Sequence, residues 1–467
     1  MPRRLADHYQ PGVDGVAIRL GDRSSLIRPS QMIAGGFSVP EAIDFVVGRL
    51  GLTAAQLKEQ QGQGICMRFR TLHFWQPSPD APVVQLDRGC VVLDREVVTP
   101  EGIDQAIRQV ARYLRDRQRP NGFFAHAYLP WADRMEESGP TMDQAGAAWA
   151  LAIHGAWARD PASIRAASRA VDALAGNLAP AQVSQATRAA AEPRDPSKRP
   201  ATVRPAYLKA PEQADRLGAT AMLLLAASEI QPPERYRDLR TRLAAGIATR
   251  QLPTGMMQAN FVTTRQAAPQ DTDPGLAMFG LVRCYQVDRI PAALQVVRNA
   301  CDHYQKQFTV DPSAAMVPWQ ALAYSRLAQV AGEPRFMDHV FAMVDWLERF
   351  QLTGENGGSS VMDGGIDPLG YGGAGVTTAL YMTAVADALE LARLAREEGR
   401  IRRYERMLRA GTRFVLQLQF RPEECYYVRS RSEAIGGIRT TPWDHSLTIE
   451  NCRHALVALI RAKQMLF

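Results

Sequence analysis

Apolar residues recur at helical spacing along most of this chain, and only its first hundred residues alternate in the manner of strands. The helical pattern starts at Thr99-Pro100, with Thr99 suited to the N-cap and Pro100 to the first helical position. Ile103, Ile107, Val110 and Leu114 then share one face. The same spacing predicts helices over about 143–157, 160–175, 211–229, 233–251, 274–287, 290–308, 315–331, 335–351, 374–397, 401–419 and 446–463, twelve in all. Residues 177–206, rich in Ala, Pro and Arg, break the pattern and read as an irregular loop or surface insertion. Ahead of Thr99, strands are expected over Gly15–Gly21, Ile65–Phe69 and Cys90–Val98, and a helix over Pro40–Leu50. A proline-rich stretch at 76–82 interrupts them. The expected division is a small α+β unit, 1–98, followed by a mainly α unit, 99–467.

The helices carry an internal echo. Four of them end on a glutamine and turn within a few residues: Gln118 before Pro120-Asn121-Gly122, Gln251 before Pro253-Thr254-Gly255, Gln351 before Leu352-Thr353-Gly354, and Gln419 before Phe420-Arg421-Pro422. Three of the four turns contain a glycine, which suits a left-handed C-cap. Some helices are apolar nearly all round, as in Ala219–Ala227 and Ala315–Leu327, whereas Glu234–Arg250 is amphipathic. All-round apolar helices with amphipathic partners predict a closed ring of six hairpins, an (α/α)6 toroid. An open α-solenoid would need a regular period of roughly 34–45 residues, and this chain is too uneven.

The stretches NGFF at 121–124, AGAAWALA at 145–152, PTGMM at 253–257, DPGLAMFGL at 273–281, VDWLERFQ at 344–351 and IENCRHALVAL at 449–459 resemble, in that order, the six-hairpin toroids of carbohydrate-active enzymes. These include uronyl hydrolases, epimerase-like proteins and related glycosidases. The resemblance covers about residues 100–467 and implies a glycoside hydrolase or a uronate epimerase or hydrolase. Two positions depart from what it implies: Asp143-Gln144 stands where an Arg-His pair is expected, and Leu276 where a glutamate is. Residues 15–75 resemble the C-terminal half of the AMME-chromosomal-region protein family through GVAIRLGDRSSLIRPSQM, EAIDFVVGRLGL and CMRFRTLHFW. That second resemblance implies a fold and no activity.

Composition excludes several classes. With 46% apolar and 22% charged residues the chain is an ordinary globular one. No run of about 18 apolar residues suggests a membrane span, and no apolar stretch follows the arginines of MPRRLADHYQPGVDG to make a secretory signal. The net charge of +7 comes from 55 basic and 48 acidic residues, of which only five are lysines. Arginine forks suit an anionic ligand, but no basic stripe interleaved with aromatics points to nucleic acid. Six cysteines with no CxxC pair read as reduced thiols of a cytoplasmic protein.

Glycoside chemistry needs two carboxylates facing a sugar, and in a toroid these sit on loops at the ends of inner helices. Asp271 and Asp273 occupy one such loop, although Asp273 before Pro274 also fits an ordinary N-cap. Asp143 lies ahead of another predicted inner helix, near Tyr128, Trp131 and Asp133, where aromatic rings beside carboxylates suit a sugar. Glu450 and His454 share a helix face at i, i+4, with His454 a candidate base or orienter or simply a core histidine. Trp319, Gln320, Asp363, Tyr371 and Trp443 complete the expected binding set, the glycine-rich loop around Asp363 and Tyr371 allowing close approach of a ligand. Cys452 beside His454 has no third ligand at zinc spacing, so neither metal nor cofactor is expected. The expected partner is a small-molecule or oligosaccharide ligand, with neither nucleic acid nor membrane. The rival readings are a scaffold with a degenerate toroid site and, third, a metal-dependent cyclase, whose DxDD motif is absent.

Overall fold

The computed structural model describes residues 9–53, 55–56, 64–76, 78–182, 203–262, 270–354, 360–370 and 373–467. In the N-terminal part, β1 (Asp14–Leu20) lies between β2 (Arg23–Ile27) and β3 (Gly64–Arg70), antiparallel to both. Helices α1 (Pro29–Gly35) and α2 (Val39–Arg49) cover this sheet, burying Val16, Ile18, Ile27, Met32 and Val46 in a small separate core. Ser38 and Glu41 close a capping box at the start of α2. A second sheet follows: β4 (His73–Trp75), β5 (Val84–Asp87) and β6 (Cys90–Val91).

The strand expected over Cys90–Val98 stops after two residues and gives way to a 3₁₀ turn at Arg95–Val97. Side chains of the helical part claim its backbone instead. Val91 N–H donates to Glu424, Leu93 N–H donates to Gln417, and Arg413 donates to the Leu93 carbonyl. Side chains have replaced a neighbouring strand as the hydrogen-bond partners of this segment.

Twelve long helices then follow among the described residues: α3 (Pro100–Asp116), α4 (Thr141–Ala158), α5 (Pro161–Ala175), α6 (Leu217–Glu229), α7 (Arg237–Ala248), α8 (Asp273–Asp288), α9 (Pro291–Val310), α10 (Val317–Ala331), α11 (Pro334–Glu348), α12 (Thr377–Ala395), α13 (Glu398–Gln417) and α14 (Ile449–Leu466). The even-numbered helices form the inner ring: α4 packs on α6, α6 on α8, α8 on α10, α10 on α12, α12 on α14, and α14 back on α4. Each odd-numbered helix from α5 to α13 lies outside the inner helix before it, and α3 closes the set against α14. The inner helices are buried on all sides, Leu217 through Ser228 of α6 without a break. The outer ones bury a single stripe, as α3 does with Ile103, Ile107, Val110 and Leu114.

The glutamine turns have one shared construction. The side-chain amides of Gln118, Gln251, Gln351 and Gln419 donate to the carbonyls of Ala166, Val296, Met407 and Ala106. Each acceptor lies on the next outer helix of the ring, α5, α9, α13 and α3 respectively. Four glycines accompany them with φ between +86° and +90°: Gly122, Gly255, Gly364 and Gly436. A Cβ on any of these would press on the carbonyl three residues further along the same neighbouring helix, at Arg169, Asn299, Ala410 and Gln109. Glycine is therefore required both for the left-handed backbone and for the close approach. The third turn uses Gly364 rather than the nearer Gly354, and the fourth, which has no glycine close in sequence, takes Gly436 from across an insertion.

Short strands also occur in the ring: β7 (Ala127–Leu129) lies between β8 (Arg134–Glu136) and β11 (Leu447–Thr448), antiparallel to both, and β9 (Leu178–Pro180) pairs with β10 (Ala206–Leu208) across the segment expected to be irregular. The expected helix over 211–229 is broken, because a 3₁₀ turn at Pro211–Gln213 caps another helix. Glu212 and Gln213 accept the first free N–H groups of α4, from Thr141 and Met142.

Candidate functional site

The inner helices all begin at the same end of the ring, and a cavity of about 230 Å³ opens there. Two local devices fix its walls. Gln144 exchanges two hydrogen bonds with the Phe124 backbone, which pins the start of α4. Ile449 N–H donates to the His126 carbonyl and Thr448 caps α14 through Asn451 N–H, which fixes Glu450.

Asp143, Glu450, Arg453 and His454 meet in this cavity. Asp143 Oδ1 lies 3.8 Å and Glu450 Oε1 3.1 Å from the same Arg453 nitrogen. The two carboxylates are therefore at most about 7 Å apart, and the roughly 5–5.5 Å separation of retaining glycosidases falls under that limit. Their surroundings differ. The Asp143 side chain is 8% exposed and that of Glu450 is 47% exposed. Burial, and then the negative charge of Glu450, push the Asp143 carboxyl up to about 7. His454, 3.7 Å away, and the Arg453 guanidinium hold the Glu450 carboxyl well below its ordinary value. Burial and Arg453 push the His454 imidazole down, which favours its neutral form. Asp143 thus keeps a proton near neutrality while Glu450 beside it is ionised.

Room for Arg453 comes from Gly146, one helical turn beyond Asp143, since a Cβ there would collide with the guanidinium. Arg216 is the second cation at the rim, held by both carboxylate oxygens of Asp273. Trp319 closes the inner side of the cavity with its ring 6.4 Å from His454. Behind it Trp149, Phe279 and Trp319 pack together with centroids 5.8–6.4 Å apart and form an aromatic septum in the ring.

Of the residues expected to form the site, Asp143, Glu450, His454 and Trp319 come together here. The others lie elsewhere. Asp273 is fully buried and is the first residue of its own helix. Its carboxylate accepts from Gly218 N–H, so it caps α6 in place of α8. Asp271 is half-buried outside the cavity, and Thr272 takes its place at the rim. Gln320 is fully buried beside Gly275 and does not reach the cavity. Tyr128 is buried and donates its hydroxyl to Asp133, which ties down the β7–β8 hairpin. Trp131 and Trp443 line a different groove of about 510 Å³ between α1, α2 and the ring. Asp363 is held by Nε and Nη2 of Arg95. Tyr371 lies outside the described residues. Arg453 and Arg216 were missed, although Arg453 stands three residues after Glu450, the spacing of a helical ion pair.

No protein-family model matches the chain, and no curated protein matches it by sequence. Its fold, however, is shared with solved structures. D-mannose isomerase is similar at a TM-score of 0.56 and 11% identity, over 79% of this chain and 98% of that one. Cellobiose 2-epimerase from Bacillus thermoamylovorans is similar at 0.54 and 10%, over 77% and 99%. The α-1,6-mannanase of Salegentibacter sp. is similar at 0.51 and 12%, over 78% and 100%. The fold is the six-hairpin (α/α)6 toroid. Among the described residues no group of three or more His, Cys, Asp or Glu side chains could hold a metal ion, and no helix is long and apolar enough to cross a membrane.

Proposed function

We propose that the chain is a carbohydrate-active enzyme, a glycosidase-like hydrolase or a sugar epimerase or isomerase, working at the Asp143–Glu450 pair. The observation that carries this reading is two carboxyl groups on one guanidinium whose environments drive their protonation apart, the arrangement that assigns an acid and a base. Protonated Asp143 donates to the departing or ring oxygen of the sugar. Ionised Glu450 takes the proton from water or from the sugar carbon. Arg453 holds the two carboxylates at a fixed separation, and His454 orients Glu450. Arg216 offers donors to a hydroxyl or carboxylate oxygen, which admits an anionic sugar. A cavity of about 230 Å³ suits one sugar ring. The solved structures of like fold include a mannose isomerase, a cellobiose epimerase and a mannanase, which supports the sugar as substrate class. For the N-terminal unit, the resemblance of residues 15–75 to the AMME-chromosomal-region family supports a fold and adds no chemistry.

The test is a panel of mono- and oligosaccharides assayed for released reducing sugar and for isomer formation. Asp143→Asn and Glu450→Gln should each lower the rate ~10²-fold or more. In the wild type the rate should fall above about pH 7 as Asp143 loses its proton, because an acid catalyst is active only while protonated. A wild type that turns over no sugar on the panel would leave the scaffold reading standing.

A further inference from the structure

On the far side of the aromatic septum, at the C-terminal ends of the inner helices, lies a second cavity of about 260 Å³ to which all six inner helices contribute. Trp149 and Phe279 form its floor. Its walls combine charged and apolar side chains. Arg283 is held by both oxygens of Glu229 at 2.8 and 2.9 Å. Arg326 and Arg461 share Asp387 Oδ1 at 3.3 and 2.7 Å, and Arg461 also reaches Glu390 at 2.7 Å. Gln286, Gln329 and Thr383 add neutral polar groups, and Ile153, Leu322 and Val457 add apolar ones.

We propose that this cavity is a binding site for a neutral polyol the size of one sugar ring. Three points select that chemistry. First, its volume lies just below the roughly 300–1,000 Å³ of pockets for drug-sized ligands, which leaves space for a single ring. Second, every lining arginine already has a carboxylate partner, so a simple anion must displace one and a simple cation meets three guanidinium groups. A hydroxyl group both donates and accepts, and can therefore bridge a carboxylate and a guanidinium without separating them. The three arginine side chains keep 17–24% of their surface exposed, so part of each fork remains open to a ligand. Third, the apolar face of a sugar ring can lie on Trp149 and Phe279 while its rim meets the planar polar groups. Buried ion pairs stabilise a fold no better than apolar side chains of the same volume. Six converging helices could have closed this space with apolar side chains, as α6 does along most of its length with leucine, methionine and alanine.

The proposal does not depend on chemistry at the other end of the ring, and the test separates the two. D-glucose and D-mannose are titrated against the full chain, followed by tryptophan fluorescence and by hydrogen exchange, with inorganic phosphate as the ionic control. In the wild type, sugar should protect the backbone around 281–288, 324–331 and 457–463. Asp387→Asn and Val457→Phe should weaken the binding read from protection of these three segments about tenfold or more. Protection confined to 141–146 and 449–454, saturation by phosphate in place of sugar, or no protection at any sugar concentration would each overturn the proposal. The exchange measurement on the wild type decides the question even where a variant does not fold.

Discussion

The two ends of the inner ring use the same residue types in opposite ways. At the C-terminal end, guanidinium and carboxylate groups pair closely, with Asp387 fully buried between Arg326 and Arg461. At the N-terminal end one guanidinium serves two unequal carboxylates, 3.1 and 3.8 Å away, and the buried one is pushed toward its neutral form. Close pairing holds the charged groups in place, which suits recognition. Incomplete pairing leaves a carboxyl group able to gain and lose a proton near pH 7, which suits acid–base chemistry. Burial alone does not distinguish the ends, since both hold charged groups away from solvent. The number of opposite charges per group does.

The largest effect that would test this contrast is at the balanced end. Asp387→Ala leaves two arginines without their shared partner and should cost about 3–5 kcal/mol in denaturant melts. A loss below about 1 kcal/mol would show that this end is not held by its ion pairs. At the other end the sign should reverse. The Asp143 carboxyl is raised in the folded state, so between its unfolded value near 4 and about 7 the folded chain keeps a proton that the unfolded chain has lost. Wild-type stability therefore falls as pH rises through that window. Asp143→Asn should remove the fall and gain a few kcal/mol at most at pH 8, with no gain at pH 3, as read from melting curves at both pH values. A variant that melts alike to the wild type at both would contradict the raised carboxyl. The smallest effect is expected from Gly146→Ala, which presses on Arg453 and should lower turnover about tenfold while the fold remains. Unchanged turnover would mean that Arg453 does not set the carboxylate geometry.

Much of the fold was legible because it rests on local periodicity. The twelve helices follow their apolar stripes, and inner and outer helices separate by whether that stripe runs all round. The glutamine echo was legible too, but its purpose was not, because each amide reaches a carbonyl roughly fifty residues ahead or, for Gln419, back at Ala106. The site was half legible. Glu450 and His454 announce themselves by helical spacing. Asp273 before Pro274 looks like a local cap, and no local signal tells that its carboxylate is taken by Arg216 and Gly218, both more than fifty residues earlier. Gln320 shows why type and neighbourhood are insufficient: it adjoins Trp319 in sequence, yet one step along a helix turns it about 100° away from the cavity.

The closure of α3 against α14 makes the order of synthesis matter. The first helix of the ring leaves the ribosome with an apolar stripe whose permanent cover is the last helix of the ring. Lys463 near the end of α14 joins Asp104 and the Pro100 carbonyl at the start of α3. Until α14 has been made, the ring has two open flanks, and an apolar surface left open in this way is what chaperones bind. A stop codon that removes α14 alone would therefore take away the cover of a helix made at the start, and with it Glu450, Arg453 and His454.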